Sequence, residues 1–245
     1  MNYRRVSVLA AALVIALLVT RAPASLLGNA LPPAVNVTGL AGTVWKGEAA
    51  YVEIPLQAKP FALGRISWTL NPMGLFFGDV IRLRSDWGSQ TVDVSVSPAL
   101  NGSFDVNDAQ LRIDLGWLRQ LLPFYVGGQL KADLASLTFT PDGRPTAANG
   151  RVVWENATWR ALGGDVSLGS YAVDVTTSDA GIRATIITLK GALEVDGSVT
   201  IVGDSYRVMA NLSGPAARNE AFQQAIALLA VPNGSGYRIE LSGTL

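Results

Sequence analysis

The sequence predicts a mainly β fold, an antiparallel meander or curved sheet that follows one N-terminal transmembrane helix. Apolar and polar residues alternate with a period of two from Leu40 onward, which is typical of strands with one buried face. Turn-forming sequences such as Asn101-Gly102 and Asp196-Gly197 recur at short intervals between the alternating runs. The single long apolar run lies near the start of the chain, ahead of all of these strands.

That apolar run lies between Arg5 and Arg21 and is 15 residues long, shorter than the roughly 20 residues that span a bilayer core. Its predicted membrane-anchoring side chains are Val6, Val8, Leu9, Leu13, Val14, Ile15, Leu17, Leu18 and Val19. The basic residues at its leading side predict that the N-terminus lies in the cytoplasm and that the rest of the chain is translocated.

Two interpretations of this segment remain open. A cleaved signal peptide would end at the small-residue site Ala22-Pro23-Ala24. A retained signal anchor would instead place Arg21 at the membrane interface. The proline in the cleavage site and the apolar Leu26-Leu27 beyond it favour the anchor, so we divide the chain into an anchor at 1–24, a linker at 25–39 and a β body at 40–245.

The β body opens with Leu40–Ala49, LAGTVWKGEA, which we predict to be its first strand with Trp45 as a half-buried sheet anchor. Alternation is clear again at Val92–Val96, Leu193–Ile201, Tyr206–Leu212 and Tyr237–Leu241. An echo of Val44-Trp45 in Val153-Trp154 suggests two similar halves, 40–123 and 128–245.

Two helices are predicted to interrupt the strands. Leu115–Leu122 is short and stops at Pro123. Pro215–Ala230 begins with a proline and ends before Pro232-Asn233-Gly234, and it should cover one end of the sheet. Its apolar stripe consists of Phe222, Ile226, Leu229 and Ala230.

Composition argues against several classes of function. Lys+Arg and Asp+Glu balance at 19 each, so the chain has no overall basic charge that would attract nucleic acid. It contains no cysteine and no histidine, which removes disulfides, thiol chemistry, the usual general base and the commonest transition-metal ligand. We therefore predict a protein that is not an enzyme and has no catalytic, cofactor-binding or metal-binding residues.

The carboxylates fit that prediction. Asp105-x-Asn107-Asp108 resembles the start of a calcium loop but lacks its later ligands, so we predict a turn. Asp79, Asp86, Asp174 and Glu194 fall on the polar positions of strands and are predicted to be solvated.

Three groups of residues together resemble the type II secretion system protein N family. The first is Ala22-Pro23-Ala24 with Leu31-Pro32, and the second is the run Gly42, Thr43, Val44, Trp45, Gly47 and Ala49. The third comprises Trp68 and Pro72 in I-S-W-x-L-x-P, with Trp154 in G-x-V-x-W-x-N-A further along the chain. The resemblance covers almost the whole chain, and G-T-V-W-x-G-x-A is its most specific part.

The resemblance implies a bitopic, single-pass protein of the bacterial inner membrane with a periplasmic β domain. It would be a non-enzymatic accessory or assembly subunit that supports protein secretion across the outer membrane. Its partners would be the inner membrane and other secretion components, on the inner-membrane platform or on the secretin side. The alternative is an AsmA-like periplasmic protein that binds lipid in a curved apolar groove or acts in envelope biogenesis.

Overall fold

The computed structural model describes residues 7, 17–31, 35–55, 60–72, 74, 80–99, 101–116, 126–161 and 164–244. The chain divides into two compact units, Met1–Trp87 and Gly88–Leu245. Both are antiparallel sheets built from strands that pair mainly with their neighbours in sequence. The predicted β fold is therefore confirmed. The link between the predicted halves, Pro123–Gly128, is described only from Val126, where β7 begins, and the division into similar halves stays a prediction.

The first unit holds helix α1 and four strands in sequence order: α1 Ser25–Ala30, β1 Asn36–Gly42, β2 Lys46–Pro55, β3 Pro60–Leu70 and β4 Ile81–Trp87. Residues 17–20 are also helical. The segment predicted as a linker, 25–39, thus contains α1 and the beginning of β1. It forms these elements because Leu27 and Val37 have a core to pack against.

The core of the first unit lies on one face of its sheet. Ala24, Ala49, Val52 and Trp68 are buried there, and apolar side chains from α1 and β1–β4 pack around them. Cross-strand register explains this grouping, because Leu40, Ala49 and Ile66 lie opposite one another on successive strands.

The second unit contains ten strands in the order β5 to β12, then β14, then β13. Their bounds are β5 Gln90–Pro98, β6 Phe104–Asp114, β7 Val126–Phe139, β8 Pro145–Ala161, β9 Gly164–Ser178, β10 Gly181–Gly191, β11 Glu194–Val202, β12 Ser205–Ser213, β13 Ala230–Asn233 and β14 Gly236–Thr244. A 3₁₀ helix, Pro215–Arg218, and helix α2, Glu220–Ile226, lie between β12 and β13. Here β14 pairs with both β12 and β13, so the last two strands exchange places.

The core of the second unit gathers where these helices meet the sheet. Leu168, Tyr171, Leu193 and Leu212 are buried together with Ala217 and Phe222 from the helical segment. The Tyr171 hydroxyl donates to the Leu193 carbonyl at 2.9 Å, and burial raises the pKa of Tyr171 to about 12. A buried tyrosine hydroxyl thus remains protonated and satisfied well above neutral pH.

The structure corrects three predicted elements. The predicted helix Pro215–Ala230 is broken at Asn219 and α2 ends at Ile226, while Ala230 begins β13. The reason is that Asn219 is extended (φ −70°, ψ 125°) and caps α2, its side chain accepting a hydrogen bond from Phe222 N at 3.1 Å. As a result, Leu229 is 53% exposed and does not extend the apolar stripe.

The second correction concerns Asp105–Asp108, which lies within β6 and not in a turn. The register between β5 and β6 shifts here, and Asp108 has φ +49°, so the turn-forming residues form a β-bulge. Asp105 accepts a hydrogen bond from Thr138 Oγ1 at 2.8 Å.

The third correction concerns Leu40–Ala49, predicted as a single strand. The segment is a hairpin, in which β1 ends at Gly42 and β2 begins at Lys46. Of the other predicted helix, Leu115–Leu122, only Leu115 and Gly116 are described, and they lie in a turn.

The predicted transmembrane helix lies mostly outside the described residues, which include only Leu17, Leu18 and Val19 of its nine anchoring side chains. Among the residues that the structure describes, no helix has both the length and the apolar character needed to cross a membrane.

Candidate functional site

The most tightly specified part of the first unit is the hairpin loop between β1 and β2. Thr43 closes it, because its N–H donates to the Lys46 carbonyl at 2.9 Å and its hydroxyl oxygen accepts from Lys46 N at 3.1 Å. Gly42 precedes the turn with φ +88°, and a Cβ there would lie 2.6 Å from the Lys46 carbonyl oxygen. We call residues 42–47 the motif loop.

Trp68 on β3 packs over the motif loop and explains its second glycine. Its indole Nε1 donates to the Val44 carbonyl at 3.0 Å, and a Cβ on Gly47 would lie 2.5 Å from Trp68 Cζ2. Leu70 N also donates to the Trp45 carbonyl at 2.6 Å. The two predicted motif positions Gly47 and Trp68 are therefore brought together in one packing unit, even though they lie on different strands.

An N-terminal segment is bound along the same loop. Ala24 N donates to the Gly42 carbonyl at 3.0 Å and Val44 N donates to the Ala22 carbonyl at 2.9 Å. These bonds form a short antiparallel bridge between Pro23 and Thr43. Ala24 is only 1% exposed and belongs to the core of the unit. We call Ala22–Ala24 the strap.

Trp45 extends this attachment toward the N-terminus. Its indole Nε1 donates to the Val19 carbonyl at 2.7 Å. The side chain is half-buried and lies in the motif loop, not in a strand. Trp68, 9% exposed, fills the core of the unit, and the role of Trp45 as a sheet anchor stays a prediction. Trp45 connects residues 17–20 to the sheet.

A wholly apolar cavity of about 420 Å³ lies against the core of the first unit, the same core in which Ala24 of the strap is buried. Side chains from α1, the segment before β1, and all four strands line it, among them Leu27, Leu31, Val35, Val37, Leu40 and Leu83. All of its described lining residues are apolar, so it offers a ligand burial but no hydrogen bonds. The AsmA-like alternative predicted an apolar groove without locating it, and Leu27, Leu31 and Val35 in the segment predicted as linker were not recognised as part of one.

Apolar side chains are also exposed N-terminal to the strap. Leu17 is 52% exposed, Leu18 68% and Val19 50%. Three adjacent exposed apolar residues on a helical turn form a patch that is unusual on a soluble surface and suits a membrane or protein contact.

The two remaining motif positions lie apart from this loop. Pro72 is exposed just after β3. Trp154 lies on β8 in the second unit, and its Nε1 donates to the Gly127 carbonyl at 3.0 Å. Its ring packs against the ring of Tyr171, with the two ring centroids 5.9 Å apart. Its contacts are those of a residue that supports the second core.

The titratable groups form ion pairs on the surface. Arg151 donates to both carboxylate oxygens of Asp174, at 2.5 and 2.8 Å, and this bonding holds the pKa of Asp174 below its usual range. Asp174 lies on the solvated face as predicted, and there it pairs with Arg151 across β8 and β9. Asp86 is exposed as predicted, and Glu194 is exposed and accepts from Ser213 Oγ at 3.1 Å; Asp79 lies outside the described residues. Within the part of the chain that the structure describes, no three carboxylates come close enough to share a metal ion.

Comparison with known proteins gives two matches. The sequence profile of the family described as "Type II secretion system (T2SS), protein N" matches residues 33–240. A protein of Vibrio cholerae named "Type II secretion system protein N" is 26% identical over 222 residues, covering 84% of this chain and 83% of that protein. No solved structure matches the chain.

Proposed function

Because this chain belongs to the type II secretion system protein N family, we propose that it is a non-enzymatic accessory component held at the inner membrane by its N-terminal segment. Membership of the family makes it a component of a type II secretion system, which acts together with other components of that system. We further propose that its β body lies in the periplasm and supports the export of folded proteins across the outer membrane.

The observation that carries the inner-membrane proposal is the strap. Removing residues 1–24 by cleavage after Ala24 would leave the Gly42 carbonyl and Val44 N without their strap partners and would delete the buried Ala24 side chain. Each lost backbone hydrogen bond costs about 0.5–1.5 kcal/mol. A strap that completes the core of the first unit supports a retained anchor in preference to a cleaved signal peptide.

The same contacts would hold the first unit close to the membrane surface. Only Thr20 and Arg21 separate Val19, which accepts the Trp45 hydrogen bond, from the strap. If the apolar run crosses the membrane, the motif loop and the apolar cavity lie at its outer surface. Contacts with the inner-membrane platform would then form around the first unit.

Two measurements test this proposal. Mass spectrometry of the protein from inner-membrane fractions should find residues 1–24 still attached, and a mature N-terminus at Ser25 would overturn the anchor. Deleting the gene should reduce export of a type II substrate, with restoration by the wild-type gene. Unchanged export together with no crosslink to another secretion component would contradict the accessory role.

The apolar cavity favours a second candidate, the binding of a lipid acyl chain as in AsmA-like proteins. A peptide would bring backbone amides that this lining cannot satisfy, whereas an acyl chain needs only apolar burial. Native mass spectrometry of the detergent-extracted chain should show one bound phospholipid. Val37→Asp, which places a charge in the cavity, should abolish binding, whereas Thr38→Asp on the opposite strand face should not. A wild-type protein that carries no lipid would exclude this function.

A further inference from the structure

A second surface, far along the chain in the second unit, has a different chemistry. Strands β10, β11, β12 and β14 present side chains on one face around a groove of about 720 Å³. Register places Arg183, Thr200, Arg207 and Ser242 directly opposite one another in a single row across these four strands. The row alternates guanidinium and hydroxyl groups, all of which can donate hydrogen bonds.

The two arginines can act on the same ligand. They lie on strands separated by one intervening strand, so their backbones are about 10 Å apart. Both residues are exposed, and Thr200 lies between them on the groove floor. Long, flexible side chains at this spacing can converge on one group above Thr200.

Both guanidiniums are also electrostatically uncompensated. Within the described residues, neither Arg183 nor Arg207 has a hydrogen bond or an ion pair, and two of the acids near the groove are already engaged. Asp204 pairs with Arg144, and Glu240 lies 3.6 Å from Arg238. Asp196 lines a neighbouring groove with Arg183 but lies four residues along β11 from Thr200. Two positive charges therefore face the groove, and none of its described lining residues is acidic.

We propose that this groove binds a phosphate group through Arg183 and Arg207, assisted by the hydroxyls of Thr200 and Ser242. Phosphate suits it better than a carboxylate, because donors from four strands approach from several sides and phosphate offers acceptor oxygens in more directions.

Two sources of phosphate share this chemistry, a free phosphate compound and a phospholipid headgroup. Two exposed apolar side chains at the groove help to distinguish these two sources. Val202 is 55% exposed and Met209 is 45% exposed on the same face. A headgroup would place its apolar part against Val202 and Met209, whereas a free phosphate compound would leave them in water.

The experiment uses the full chain in a neutral detergent and isothermal titration with glycerol 3-phosphate. Arg183→Gln and Arg207→Gln should each weaken binding about tenfold, since each removes a charge-assisted hydrogen bond. The matched control is Arg238→Gln on the same sheet face, whose guanidinium is already committed to Glu240 and to Asn211. That variant should weaken binding less than twofold. All three residues are exposed, and unchanged circular dichroism spectra will verify folding.

Absence of glycerol 3-phosphate binding by the wild-type chain would overturn the proposal. An equal loss in Arg238→Gln would also overturn it, because the attraction would then be diffuse. Dihexanoyl phosphatidylglycerol, a soluble short-chain lipid, distinguishes the sources. Tighter binding of this lipid that is lost in Met209→Ser supports a headgroup site, and equal binding of both probes supports a site for free phosphate compounds.

Discussion

Single residues in the motif loop have roles that follow from distances of a few ångströms. Gly42 supplies a left-handed turn, Gly47 leaves room for the Trp68 ring, and Thr43 closes the turn with its hydroxyl. The sequence singled out these residues as structural, and it could not assign their contacts. The reason is that Trp68 lies opposite Gly47 on the neighbouring strand, and the residues adjacent to either one in sequence do not determine this register.

Gly47→Ala should therefore destabilise the protein by about 1–3 kcal/mol, because the new methyl group meets Trp68 and two backbone carbonyls. Urea unfolding of the full chain measures this cost. Gly28→Ala in α1 is the matched control, since its Cβ would lie at an ordinary 3.4 Å from Leu40 and alanine favours helix. Equal stability of the two variants would show that Gly47 is not sterically required.

Tyr171 provides a residue-scale test by pH. Its pKa is raised to about 12 by burial, against about 10 in an unfolded chain, so the unfolded state loses the proton first and stability falls between these values. Tyr171→Phe removes the hydrogen bond to Leu193, and it also removes the fall in stability between pH 10 and pH 12. The stability difference between wild type and variant, measured by urea unfolding, should be larger at pH 8 than at pH 11. A constant difference would contradict the raised pKa.

At the scale of elements, the strands could be predicted and the irregular segments could not. Alternation located β5, β11, β12 and β14 because one face of each is apolar. Asp105–Asp108 misled because turn-forming residues also serve in β-bulges. The helix at Pro215–Ala230 was overestimated because Asn219 interrupts the predicted helix ahead of its apolar stripe and caps α2. Ala230, the last residue of that stripe, pairs with Ile239 in the sheet. Tertiary pairing here overrides local helical pattern.

The strap is the element that sequence alone could not place, since its bonds join residues about twenty positions apart through backbone groups. We expect Trp45→Phe, which removes the hydrogen bond to the Val19 carbonyl, to weaken the attachment of the strap to the motif loop. Hydrogen exchange at the Val44 and Ala24 amides should then be faster. Trp87→Phe in the same unit, whose ring packs on Gly64, should leave both amides unchanged. Unchanged exchange in Trp45→Phe would mean that the strap binds without the indole.

At the scale of the whole molecule, each core cluster draws its residues from one unit. We therefore expect Gly47→Ala to speed amide exchange in β1–β3 and leave β8–β12 unchanged. Asn219→Ala, which removes the cap of α2 at a cost of about 1 kcal/mol, should do the reverse. Hydrogen exchange by mass spectrometry measures both. Variants that each accelerate exchange throughout the chain would show that the units unfold together.

The order of the strands affects how the chain can fold as it emerges with its N-terminus first. From β1 to β4, and again from β5 to β12, every strand pairs with the strand made just before it, so a chain that emerges N-terminus first can add hairpins one at a time. Among the described strands, β13 departs from this order, because it does not pair with β12 and pairs instead with β14, which inserts between them. The β12 end of the sheet in the second unit is therefore completed only when β14 has formed. Until then β12 has an unpaired edge with which a neighbouring chain could pair.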